Sequence, residues 1–415
     1  MAGLGRDFTR LWAGQSVSLA GSQVTVLALP LTAILLLHAR PEQMGLLSAL
    51  QFAPYPLLGL PAGVWVDRLS RRGVMIATNL GRALVLSTIP AAALTGRLQL
   101  AQLYLVAFVA GCLAVFFDVA YQSYLPSLLA RASLVEGNRR LEISRSLAYA
   151  LGPALGGFLV QAAGGPGAIA FNVATFLLGV GLLLRIRRTE PVEGAGSGRG
   201  VLRDLGEGVA FVGRHPLLRA LALCGGVSNL FLFMQTAVLL LYFSRELHLS
   251  PAVIGAVQTM VGVGSVLGAI AAGRLARALG LGRTVIGAQA VIGLGCGLLP
   301  LAGGPRLLQT TLLGTGNVLQ GIATPVYNVN QVSLRQLVTP DRMLGRVQGT
   351  MRTVIWGAIP VGAWLGGQLG SEIGLRPTLF FGAGGVLLST AFLLASPLRR
   401  LKTLPPPLRE DGAVA

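Results

Sequence analysis

Long apolar runs separated by short basic clusters recur along the whole of this chain. A helix needs about 20 apolar residues to cross the bilayer core, and only helices or closed barrels satisfy their backbone polar groups there. Runs of that kind lie at 12–37, 43–65, 74–95, 101–124, 143–163, 167–185, 217–242, 252–272, 284–302, 307–330, 349–370 and 376–396. The expectation is an all-α polytopic membrane protein with twelve transmembrane helices. Composition agrees: 12% of the 415 residues are charged, against about 25% in soluble domains. The first run is too long for a signal-peptide core and is expected to stay as the first transmembrane helix.

The net charge of +18 does not point to nucleic acid, because the basic residues are scattered in clusters between apolar runs instead of covering one soluble face. The N-terminus, the even-numbered loops and the C-terminal tail, with the helix ends beside them, hold 27 of the 33 basic residues. The odd-numbered loops hold five, and Arg82 lies within the third run. Positive charge favours the cytoplasmic side, so both termini are expected there. Residues 186–214 are polar, rich in Gly and charged at both ends, and read as a cytoplasmic linker ending in a short amphipathic helix. The linker separates two six-helix bundles, 1–185 and 215–398, with a cytoplasmic tail at 399–415.

The halves repeat in register. Pro41, Gly45 and Gly63 recur as Pro251, Gly255 and Gly273, shifted by 210 positions, and Arg145 and Pro153 recur as Arg352 and Pro360, shifted by 207. Two parallel six-helix repeats are a transporter architecture, with the substrate site near the bilayer midplane. The chain is not expected to be an enzyme: His38, His215 and His248 fall in loops or at helix ends with no carboxylate constellation. Cys112, Cys224 and Cys296 have no metal-ligand spacing and read as packing residues. No metal or cofactor is expected, and the lack of a glycine-rich phosphate loop favours a secondary transporter over a pump.

The stretch GVWVDRLSRR resembles the loop motif of the major facilitator superfamily, G-x-x-x-D-R-x-G-R-R: Gly63, Asp67, Arg68, Arg71 and Arg72 match, and Ser70 replaces the second glycine. GPALGG at 152–157 resembles the antiporter motif G-x8-G-P-x-x-G-G through Gly152, Pro153, Gly156 and Gly157, with Ile143 in place of its first glycine. The fourth-span arginine of many drug–proton antiporters would fall near Ala107 and is absent. With FFDVAYQSYLPSLL at 116–129, the chain is most similar to the branch holding macrolide-efflux and enterobactin-exporter proteins. That resemblance implies the major facilitator fold, multidrug or macrolide-like efflux through the inner (plasma) membrane, proton antiport and alternating access. A siderophore or lysolipid carrier of the same fold, or a transporter-like sensor or scaffold, are the alternatives. The implied partners are a small-molecule substrate, protons and the lipid bilayer, with the chain acting as a monomer.

Physical reading adds roles to these residues. Gly59, Gly63 and Asp67 are spaced i, i+4, i+8 and share one helix face, where small residues would admit another helix. An anchor explains the arginines but neither the acid nor that face, so Asp67 is expected to serve a cytoplasmic gate. Asp118 is the one acid well inside a run; buried charge there is expensive and functional by default. Two readings stay open: a structural pair with Arg82 or Arg71, or a proton-linked switch. The resemblance further implies that the first, fourth, seventh and tenth spans surround the cavity, so the neutral polar residues Gln23, Tyr121 and Gln122 in the first and fourth runs are expected to face it, or else to bond neighbouring helices. Asn229 and Gln235 in the seventh run, and Asn317, Gln320 and Tyr327 in the tenth, carry the same two readings.

Overall fold

The computed structural model describes residues 5–66, 68–129, 133–186 and 201–401. Among them all regular structure is helical: α1 (Arg6–Leu35), α2 (Pro41–Phe52), α3 (Pro54–Val66), α4 (Arg71–Leu94), α5 (Leu100–Leu128), α6 (Leu134–Leu184) and α7 (Val201–Arg214). There follow α8 (Pro216–Leu241), α9 (Pro251–Leu279), α10 (Leu281–Leu298), α11 (Arg306–Leu337), α12 (Leu344–Glu372) and α13 (Leu375–Leu394). Proline sets one boundary that hydropathy does not mark. The second apolar run is split into α2 and α3 at Ala53, ahead of Pro54, which disfavours a helical residue before it and supplies no N–H.

Eight helices among the described residues are long and apolar enough to cross a membrane. The difference from the twelve runs is physical. α6 covers two of them in 51 residues and holds one non-helical residue, Gly164, at φ 70° and ψ 169°, a backbone state open essentially to glycine alone. α2 and α3 are each short, and α11 and α12 fall outside the eight. The amphipathic helix expected at the end of the linker is α7; residues 187–200 lie outside the described set.

The chain forms two compact units. Unit 1 comprises Met1–Arg40, Leu50–Gly198 and His248–Thr259, so it includes the opening of α9. Here α1 packs along α6, and α4 lies against α5 and α6. Its core gathers Phe8, Leu11, Met75, Phe117 and Tyr124, all buried. Unit 2 comprises Pro41–Ala49, Arg199–Leu247 and Met260–Ala415. In it α8 packs on α12 and α13, and α10 on α11 and α13, around Leu218, Val285, Leu334, Val347 and Val386.

The repeat extends to packing. Ser18, Asn79 and Gly179 meet in unit 1, where a Cβ on Gly179 would come within 2.6 Å of Ser18 Oγ and 3.7 Å of Asn79 Nδ2. Their counterparts 210 positions later, Ser228, Gln289 and Ser389, are hydrogen-bonded together in unit 2.

Candidate functional site: the loop motif and two buried polar hubs

The loop motif splits into a clamp and an open face. Ser70, where the family pattern has glycine, is the N-cap of α4: its Oγ accepts from Gly73 N at 2.9 Å, an interaction worth about 1 kcal/mol. Arg71 Nη1 donates to Ser123 O at 3.2 Å. Arg72 donates through Nε to Leu183 O at 3.0 Å and through Nη2 to Leu184 O at 2.9 Å. Those are final carbonyls of α6, which have no partner within their helix and carry the negative end of its dipole. Arg68 is exposed in the turn after α3, and Asp67 lies outside the described residues. The close helix approach expected at Gly59 and Gly63 is not made: a Cβ on either would meet nothing within 4 Å among the described residues.

Arg82 is the hub of unit 1. It is 9% exposed, and its Nη2 donates to Asn79 Oδ1 at 2.6 Å. The guanidinium carbon lies 4.6 Å from the ring centres of both Phe117 and Phe176. Cation–π contacts of this kind stabilise a desolvated cation by up to about 2 kcal/mol each. Asp118 and Tyr55 are within electrostatic reach of the same guanidinium, so the structure brings together the acid and one of the two arginines expected beside it. Arg71 is committed in part to Ser123. Tyr121, stacked on Phe117 at 6.1 Å, is within reach of Asp118, Glu142 and Arg145, which extends the charged cluster from α4 through α5 to α6.

The glycines of 152–157 are packing surfaces. Gly152 faces the Gln23 side chain, and a Cβ on Gly156 would stand 3.3 Å from Val24 Cα, both on α1. Gly157 meets the opening of α9, where a Cβ would collide with Pro251 O and come within 3.0 Å of Gly255 Cα. Gly362, Gly366 and Gly367 repeat the arrangement 210 positions on in unit 2, against Leu230, Met234 and Gly45 respectively. The glycine face therefore repeats at 210, whereas the proline within it repeats at 207.

The hub of unit 2 is neutral. Gln289 Nε2 donates to Ser228 Oγ at 2.9 Å and Ser389 Oγ at 3.0 Å. Of the residues expected at a cavity, Gln235 is 2% exposed and spends its amide hydrogens on Cys296 O and Leu379 O, so it staples helices. Asn229 donates to Gly225 O within its own helix. Tyr327 is buried with its hydroxyl 3.8 Å from Cys224 Sγ. Asn317 is also buried; Gln320 Nε2 is buried without a hydrogen-bond partner among the described residues, and Gln122 is exposed. Hydropathy missed the Gln289 hub and Arg335, which counted as loop charge but is buried in the last turn of α11. It also missed the pair of Glu207 Oε2 with Arg346 Nη1 at 2.5 Å, which fastens α7 to α12. An amide isolated in an apolar run is the signal that would have found Gln289.

A family model for transmembrane secretion effectors, a branch of the major facilitator superfamily, matches residues 4–407. The chain belongs to that family. Among relatives of this secretion-effector chain, the multidrug efflux pump Tap of Mycolicibacterium fortuitum is 29% identical over 373 residues, covering 86% of this chain and 88% of Tap. The enterobactin exporter EntS of Citrobacter koseri is 27% identical over 421 residues, covering 98% of this chain and 95% of EntS. The crystal structure of a bacterial homologue of the iron transporter ferroportin shares the fold, with a TM-score of 0.77 at 19% identity over 94% of this chain and 98% of that one.

Proposed function

We propose that this secretion-effector chain is a proton antiporter that exports a hydrophobic or amphipathic small molecule through a bacterial inner membrane. In this reading twelve helices form the halves 1–185 and 215–398, both termini are cytoplasmic, and a monomer alternates access to its substrate. The observation that carries it is the placement of Asp118 within electrostatic reach of the buried Arg82. An acid next to a fixed cation can be neutralised and recharged during a cycle while the cation holds the surrounding packing in place. The Gly157–Gly255 and Gly45–Gly367 crossings support the mechanical part, since backbone-on-backbone contacts part and close without side chains to rearrange. Asp67 with Arg68 is proposed as the gate; Arg71 and Arg72 hold the helix ends that frame it.

The likeness to an enterobactin exporter across 98% of this chain favours a second reading, a siderophore carrier. Accumulation assays in an efflux-deficient host, with macrolides, lipophilic cations and a catecholate siderophore, separate the two. Export should stop with an uncoupler, and Asp118→Asn should lower uncoupler-sensitive export about tenfold or more while the protein still reaches the membrane. Export that an uncoupler leaves intact would remove proton coupling. Export of no compound would favour a sensor or scaffold.

A further inference from the structure

The two buried arginines among the described residues differ in what surrounds them. Arg82 has an amide oxygen, two aromatic faces and a nearby carboxylate. Arg335, in unit 2, is 8% exposed; its Nε, like that of Arg82, has no hydrogen-bond partner, and its guanidinium makes no hydrogen bond, ion pair or ring contact with the described residues. Buried Tyr327 and Gln331 precede it at i−8 and i−4 on the same helix face, and Leu334 and Val338 flank it in sequence, also buried.

Four carboxylates of unit 2 stand elsewhere. Glu207 is taken by Arg346. Glu372 closes α12, a helix that begins just after α11 ends, which puts it about 42 Å away along that helix at 1.5 Å per residue. Glu42 opens α2 beside Pro41, which contacts Gly370 at the same far end. α8 runs parallel to α12, as Gly362 on Leu230 and Gly366 on Met234 show, so Glu246 beyond its end is remote too. The α11 C-terminus offers about half a charge at most, and a buried cation without a counter-charge is costly.

We infer that Arg335 anchors an oxyanion-binding site within unit 2. The guanidinium is a planar fork of donors that matches phosphate, carboxylate or sulfonate with two parallel hydrogen bonds. The oxyanion comes either from a soluble molecule or from a phospholipid headgroup, and the inference does not depend on the export reading.

The test uses the purified full chain in neutral detergent with inorganic phosphate as one probe. The other is the full chain in nanodiscs of phosphatidylcholine with and without phosphatidylglycerol, with retained lipid counted by native mass spectrometry. Wild-type protein should gain thermal stability with phosphate or retain phosphatidylglycerol selectively. A phosphate response assigns the soluble source, and lipid retention alone assigns the headgroup. Arg335→Met should weaken that binding about tenfold or more, the equivalent of one charged hydrogen bond, and Arg335→Lys should keep part of it. Without ligand, Arg335→Met should be at least as stable as wild type, because it removes an uncompensated charge. The site is overturned if neither probe distinguishes wild type from Arg335→Met, or if Arg335→Met lowers stability without ligand. It is also overturned if Asp204→Asn or Asp341→Asn abolishes the binding difference, since the chain would then supply the counter-charge itself. No transport is measured, so a failure here is separate from a failure of the export reading.

Discussion

Asn79 and Gln289 occupy corresponding places, 210 residues apart, in two bundles built from repeated helices. In unit 1 the amide oxygen accepts from the guanidinium of Arg82. In unit 2 the amide nitrogen donates to two serine hydroxyls, and the position 210 after Arg82 is the buried Ile292. The glycine contacts that set helix spacing repeat across the two units, whereas the chemistry at the hub does not. Backbone approach leaves little room for change, because an atom added at Gly157, Gly362, Gly366 or Gly367 meets a neighbouring main chain. A hub side chain can exchange charge for neutrality as long as its polar atoms find partners.

The widest test of that contrast is to remove each hub. Arg82→Met strips the amide and ring contacts and removes the buried cation near Asp118, so it should cost about 3–5 kcal/mol. Gln289→Met removes a donor from Ser228 and Ser389, the second of which still accepts from Cys224 Sγ and donates to Val386 O, and should cost about 1–2 kcal/mol. Thermal unfolding in detergent ranks the two; equal losses would erase the distinction between a charged and a neutral hub.

A smaller effect tests the claim that spacing is the repeated element. Gly157→Ala should destabilise by about 1–3 kcal/mol, because the new methyl meets Pro251 O and Gly255. Gly59→Ala, with open space around it, should stay within about 0.5 kcal/mol. If the two variants unfold alike, the close crossing is not where the repeat holds its geometry.

The smallest effect asks whether unit 2, neutral at its hub, responds to pH at its edge. His215 caps α8 by accepting from Leu218 N through Nδ1 at 3.5 Å, and burial lowers its pKa below 6.5. The folded state therefore holds fewer protons there than the unfolded chain. Its contribution is full above about 6.5 and declines as pH falls below that value. His215→Asn keeps a cap but cannot titrate, so it should flatten the wild-type loss of stability between about pH 7 and 5. An unchanged slope would put the titration elsewhere.

The helical class, the linker helix and the repeat were legible in the sequence because hydropathy and recurring glycines report burial directly. The break at Ala53 was not, since the run stays apolar across it; the break at Gly164 fell between two predicted runs. The Asp118–Arg82 proximity could be expected from depth alone, as two charges in apolar helices at similar height. Gln235 was ambiguous because an amide that lines a cavity and one that staples helices look the same in sequence; only the Cys296 and Leu379 carbonyls decide. Arg335 was hidden by its place at a helix end, where basic residues ordinarily mark topology.

The hydrogen bonds of Arg71 and Arg72 have a mechanical consequence. By tying the first turn of α4 to carbonyls of α5 and α6, they join the ends of three helices into one block. A load on the first turn of α4 is thereby shared by three helices.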